Sequence, residues 1–166
     1  MEGTCSEKLK QILNKVTRDT IRCTTNTFDL AIGCKMDSLQ DAAEIIYNRP
    51  SEYMTMVSAL NYLATYPNTK HLKIFREIIL ETTFENETLL KRIAAKGLAE
   101  LQDTSSISAI IKASEKERKG SDWNTSMYLK ALGKLKGEVA KSYVSTFLES
   151  KEERMKVLAK EMIDNW

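Results

Sequence analysis

The chain has 166 residues, 42% of them hydrophobic and 29% charged, with a formal net charge of +2. That length supports one domain with a substantial buried core, and two prolines and six glycines are too few for a turn-rich β fold. The near-neutral balance excludes the strongly basic composition of a dedicated phosphate-binding domain.

From Met1 to Pro50, seven Lys/Arg face seven Asp/Glu; from Asn86 to Lys141, eleven face seven. The excess positive charge therefore falls in the middle of the chain. The three cysteines, Cys5, Cys23 and Cys34, are odd in number and form no Cys-x-x-Cys, which argues against a disulfide framework or a zinc site. No stretch approaches the roughly 18 apolar residues of a membrane span, and the first residues lack the pattern of a signal peptide. A cytosolic protein with free thiols, no metal and no cofactor is expected, treated as a single domain over residues 1–166.

In chain order, Leu9, Ile12, Leu13, Val16 and Ile21 share one face at three- and four-residue spacing, predicting a helix from Ser6 to Arg22. Thr24–Thr27 breaks it. Residues 28–37 read either as a short helix packing Phe28, Ala31 and Ile32 or as an irregular link. Ser38 and Asp41 form a capping box for a helix with Leu39, Ala42, Ala43 and Ile46 inward, ended by Asn48-Arg49-Pro50. These first fifty residues show no repeat.

From Ser51 onward an apolar helical block recurs every 30–40 residues or so. Ser51 caps a helix to Thr65 with Met54, Val57, Leu60 and Leu63 inward. After the turn Tyr66-Pro67-Asn68, a partner helix starts at Thr69 and buries Leu72, Phe75, Ile78 and Ile79. Asn86 caps the next, with Leu90, Ile93, Ala94, Leu98 and Leu101 as its stripe. Beyond Gln102-Asp103, another helix buries Ile107, Ile110 and Ile111, and Gly120 is placed to end it in a left-handed conformation. The third pair uses Met127, Leu129, Leu132 and Leu135, breaks near Gly137, and continues with Val139, Tyr143, Val144, Phe147 and Leu148. Ser150 and Glu153 form a second capping box for a last helix with Met155, Leu158, Ala159 and Met162 inward. Ala59, Ala95, Gly97 and Ala131 are small enough to let helices approach closely.

Arg92–Asp103, reading RIAAKGLAELQD, resembles the first helix of a HEAT-type repeat, with small residues before a Leu-x-x-Leu and an Asp in the turn. Ala131–Gly137 is a poorer copy, with Lys136 in place of Asp, and Ser58–Asn68 is poorer still. The resemblance covers Ser51–Trp166. It implies an all-α fold, a short α-solenoid of about three HEAT-like helix pairs behind an N-terminal helical cap (residues 1–50). A compact irregular helical bundle is the alternative.

Catalytic constellations are absent. His71 is the single histidine and sits at a helix start, where a cap or surface role is expected. Neither GxGxxG nor GxxxxGK[ST] occurs. The acidic pairs Glu115/Glu117 and Glu152/Glu153 lie in charged helical runs, which read as solvated surface. The chain is therefore not expected to be an enzyme.

In HEAT-like stacks the second helices usually line the concave side. By that resemblance Lys73, Arg76, Lys112, Lys116, Lys119 and Lys141 form a partner-binding row, to be weighed against an ordinary solvated face. Trp123 and Tyr128 are candidate aromatic anchors, though Trp123 equally suits a hydrophobic staple. HEAT-like proteins generally act as scaffolds, adaptors and inhibitors. The expected function is a small cytoplasmic protein–protein interaction module, such as a toxin-neutralising immunity protein, binding an acidic protein surface. The alternative is a nucleic-acid-binding protein akin to the HEAT-like DNA glycosylases.

Overall fold

A computed structural model describes residues 53–80, 88–120 and 122–166, together with Glu7, Gln40, Asp41, Ala43, Glu44, Tyr47 and Asn48. The expected first helix apart from Glu7, the three cysteines, the 24–37 segment and the caps at Ser38, Ser51 and Asn86 lie outside them. The described residues are all-helical, without a strand. They fall into two compact units, Met1–Pro67 and Asn68–Trp166.

In the first unit, helix α1 spans Tyr53–Thr65. Val57, Leu60 and Leu63 are buried as their spacing predicts, joined by Ala59, Tyr62 and Ala64, whereas Met54 is 47% exposed. Met54 lies in the first turn, and its expected inward position is corrected. Pro67 disfavours a helical Tyr66, and the freed Tyr66 carbonyl accepts from Gln40 Nε2 at 3.1 Å. Tyr62 and Tyr66 meet edge to face, 5.2 Å between ring centres. The helical Ala43 is fully buried.

The second unit opens on Asn68, whose side chain accepts from Lys70 N at 3.1 Å and starts a 3-10 turn, Thr69–His71. Helix α2 follows (Leu72–Leu80), burying Phe75, Ile78 and Ile79 at i, i+3 and i+4. Helix α3 (Thr88–Glu100) buries Leu90, Ile93, Ala94 and Leu98, as expected, and also Ala95, Gly97 and Ala99. Helix α4 is Ile107–Arg118, α5 Ser126–Leu135, α6 Glu138–Ser145 with a 3-10 extension to Glu149, and α7 Glu153–Asp164.

The packing order alternates. Helices α3, α5 and α7 touch in sequence, as do α2, α4 and α6, and each of these helices also touches the next. A buried row needs small residues where backbones approach. At Gly97 a Cβ would lie 2.6 Å from Phe75 Cζ, so glycine is what lets α2 and α3 come together.

The turns between rows use unusual backbone. Gln102 has φ 55°, Asp103 N–H donates to Leu98 O at 3.0 Å and Gln102 N–H to Ala99 O at 3.1 Å, a Schellman ending without glycine. Lys136, the residue after the Leu132/Leu135 pair, also has positive φ, 59°, and Gly137 follows at 93°. Both Leu-x-x-Leu segments thus end on a non-glycine residue in a conformation that L side chains avoid.

Several inward positions are corrected. Val139 is 62% exposed and Leu148 38% exposed. Each is at the margin of a short helical segment whose opposite face carries Ala140, Tyr143, Val144 and Phe147. Leu72, Leu101, Ile107, Ile111, Met127, Leu158 and Met162 are half-buried. Gly120 is not left-handed, because Lys119 keeps right-handed helical angles and Gly120 N–H closes onto Glu117 O at 3.3 Å. Ser150 and Glu153 form no capping box; Ser150 Oγ accepts from Glu152 N at 3.1 Å and donates to Asp122 instead. His71 is fully buried, not at the surface.

Candidate partner-binding face

The expected cationic residues lie on α2, on α4 and the residue that ends it, and on α6, and they differ in how they are held. Lys73, with its side chain 85% exposed, pairs with Glu77 one turn on, at 3.7 Å. Arg76 is committed inside the fold. Its Nε and Nη2 each donate to the Asp103 carboxylate at 2.8 Å, and Nη2 also reaches Ser105 Oγ at 3.0 Å. As a group awaiting a partner, Arg76 is corrected to a clamp between α2 and the turn that ends α3.

Asp103 is the centre of that clamp. It is buried and accepts from Arg76, Ser105 Oγ and Ser106 Oγ. The Arg76 hydrogen bonds first, then those from the two serines, hold its carboxyl well below the usual carboxylate range against the opposing effect of burial.

Helix α4 carries the accessible part of the row. Lys112, Lys116 and Lys119 recur at i, i+4 and i+7 and are exposed. Lys141 on α6 is half-buried. The helix beneath the lysines is fixed on its other sides. Ile110, Ala113 and Ser114 are buried, and Ser114 Oγ accepts from Tyr143 OH at 3.0 Å. Arg118 reaches Thr146 Oγ1 at 3.2 Å and lies 4.0 Å from the centre of the Phe147 ring. Beside Lys116 lies a cleft of about 270 Å³ that includes Thr88, Lys91, Arg92 and Asn124.

Of the acidic pair expected as solvated surface, Glu115 is exposed, and Glu117 is corrected to a position whose side chain is buried. Its side chain is 8% exposed and accepts from Arg92 Nη2 at 2.6 Å and from Tyr128 OH. Tyr128 is fully buried, so it is a core residue of α5 and not a surface anchor. Burial, then the bond to Glu117, pushes its phenol far above the usual range and keeps it a donor. Glu117 therefore ties α3, α4 and α5 together through Arg92 and Tyr128. A buried cluster of this kind leaves a weak signal, an Arg and a Tyr each placed one residue from a strongly apolar stripe.

Trp123 does reach solvent, 47% exposed. Its backbone N–H donates to Glu152 Oε2 at 2.9 Å, and the Arg154 guanidinium lies 5.9 Å from the ring centre. Sequence reasoning missed a furrow between α3 and α5, about 260 Å³, with Lys96, Lys130 and Lys134 at its edges. These lysines sit on the first helices, outside the row that the repeat pattern brought forward.

No helix among the described residues is long and apolar enough to cross a membrane. No protein-family model, curated protein or solved structure matches the chain.

Proposed function

We propose that this chain is a non-enzymatic, cytoplasmic protein-binding module, a short HEAT-like stack that presents the α4 lysines to an acidic protein surface. A small adaptor or an inhibitor, such as a toxin-neutralising immunity protein, is the concrete form. The observation that carries the reading is the exposed Lys112–Lys116–Lys119 stripe on a helix anchored through Ser114, Glu117 and Arg118. The backbone that carries these charges is preorganised, so the ordering cost of binding falls on the lysine side chains alone.

Lysines one turn apart, about 6 Å, repel by roughly 0.7 kcal/mol in water, and salt reduces this further. An acidic partner that relieves such repulsion gains little from each pair. The stripe therefore acts mainly on encounter rate and orientation, and apolar contact elsewhere has to supply most of the affinity. Arg76 and Lys73 are already paired, which thins the row that a nucleic-acid duplex would need.

The test is capture of partners from host lysate with wild type and with Lys112→Glu/Lys116→Glu, before and after nuclease. One stoichiometric protein retained by wild type after nuclease and lost by the variant supports the reading. Retention that disappears with nuclease removes it in favour of nucleic acid, and equal retention by both proteins removes the α4 stripe.

A further inference from the structure

Trp123 and Val157 are large apolar side chains left open to solvent, 47% and 50% exposed. With the half-buried Leu158 they line one shallow furrow of about 330 Å³ beside α5 and α7. The indole stands on a fixed support, the 3-10 turn Asp122–Thr125. There Asp122 accepts from Arg118 Nε at 2.9 Å and from Ser150 Oγ, and the Trp123 N–H donates to Glu152 at 2.9 Å. Covering this indole and valine removes apolar surface from water with little further ordering of the backbone. The neighbouring α3–α5 furrow offers no comparable surface, because Ala99 and Ala131 are buried and Lys134 is bonded to Glu100.

Four charged residues line the Trp123 furrow: Lys130 on α5, and Glu153, Arg154 and Glu161 on α7. Their charges cancel. Glu153 is paired with Lys156 at 3.4 Å, and the Arg154 guanidinium lies 5.9 Å from the centre of the indole. Lys130 and Glu161 stand on the two helices that border the furrow and are both exposed. Among the described residues, neither of their side chains has a bonded partner. A strongly acidic or basic segment would be drawn to one border and repelled by the other. A wholly apolar segment would strip water from both charges without replacing it. The matching surface has an apolar centre, an anion opposite Lys130 and a cation opposite Glu161, and this patch is itself such a surface.

We infer that the furrow is a self-association site for a second copy of this chain. The copies meet on a two-fold axis, with Trp123 and Val157 of each on the apolar centre of the other, and Lys130 of each against Glu161 of the other. A two-fold contact uses one patch twice and so requires a self-complementary patch. A neutral furrow with one open charge of each sign meets that requirement. The contact is small, which sets the pair in the weak, transient class. Its exposed ion pairs orient the copies more than they hold them. The site is separate from the α4 stripe, and each pair would carry two such stripes.

The test is sedimentation velocity of the full chain from about 10 µM to about 1 mM, in reductant so that Cys5, Cys23 and Cys34 do not link copies. The average mass is expected to climb from monomer toward dimer. Trp123 emission, read in Trp166→Phe, should shift to the blue over the same range. Lys130→Glu and Glu161→Lys, each checked for folding by circular dichroism, should each weaken association by about tenfold, because two attractions become two repulsions. Mixed one to one, they should associate again, since every reversed charge then faces an opposite one. Val157→Ser should weaken association with both charges in place, and Lys112→Glu/Lys116→Glu should leave it unchanged.

A chain that stays monomeric through this range overturns the inference and leaves the furrow to a different protein. Association that both single charge reversals leave unchanged overturns it in favour of another contact. Reversals that weaken association but do not recover it when mixed overturn the two-fold pairing. Loss only in the Lys112→Glu/Lys116→Glu variant overturns it by placing the contact on α4.

Discussion

Gly97→Ala tests the tight approach of α2 to α3. The added methyl would sit 2.6 Å from Phe75 Cζ and 2.7 Å from Cε1 and Cε2. Ordinary carbon contact starts near 3.5 Å, so α2 and α3 must part by roughly 0.9 Å or the ring must turn. Phe75 is fully buried, and its ring has no solvent-filled space to enter. Alanine returns about 1 kcal/mol of helix propensity, and overpacking a filled core costs about 1–3 kcal/mol and sometimes more. The tight approach places the cost at the upper end, for a net loss of about 2 kcal/mol. In a chain of 166 residues that lowers Tm by roughly 4–8 °C. Helical circular dichroism on heating and in urea reads the loss. Phe75→Leu in the same background should relieve part of it, with a coupling of about 1–2 kcal/mol in the double-mutant cycle. A variant as stable as wild type, or two substitutions that simply add, would refute the contact argument.

Three further outcomes are expected. Tyr128→Phe removes a buried bond to the Glu117 carboxylate and should cost about 2 kcal/mol in urea unfolding; a loss under about 0.5 kcal/mol would place Glu117 in contact with water. Lys136→Gly should stabilise by about 1 kcal/mol, because φ 59° with ψ −162° strains lysine by more than the extra entropy glycine loses; equal or lower urea stability would contradict it. Asp103 has a depressed folded-state pKa, so its stabilisation is complete above the unfolded carboxylate range, starts to fall near pH 4–5, and is lost as pH drops through the folded value. Wild type should therefore lose its advantage over Asp103→Asn on acidification, and a pH-independent difference would refute the clamp.

Helix class and most helix positions from Tyr53 to Trp166 were legible because apolar spacing tracks a buried face directly. The inward stripe of α3 and the breaks at Tyr66-Pro67 and Gly137 follow from that signal. Errors gathered at helix margins, at Met54, Val139 and Leu148, where the period still marks a residue as inward but neighbouring elements no longer cover it. The site was harder to read. Spacing placed Lys112, Lys116 and Lys119 together on α4, but it does not show which cations are already bonded, so Arg76 was included. Spacing also hid Glu117, because a carboxylate in a charged run looks the same whether it faces water or a guanidinium from another helix. The α3–α5 furrow depends on two alanines meeting across helices about thirty residues apart, and composition along the chain does not show it.

Side-chain bonds between elements of the second unit span short, similar stretches of chain: Arg76–Asp103, Arg92–Glu117, Tyr143–Ser114 and Ser150–Asp122 lie 25–29 residues apart. Rigidity is therefore handed from neighbour to neighbour and accumulates where neighbours are most numerous. Helix α4 touches α2, α3, α5 and α6, and helix α5 touches α3, α4, α6 and α7, whereas α7 rests on α5 and α6. Amide exchange should be slowest at Leu129–Leu132 and should quicken toward the end of α7.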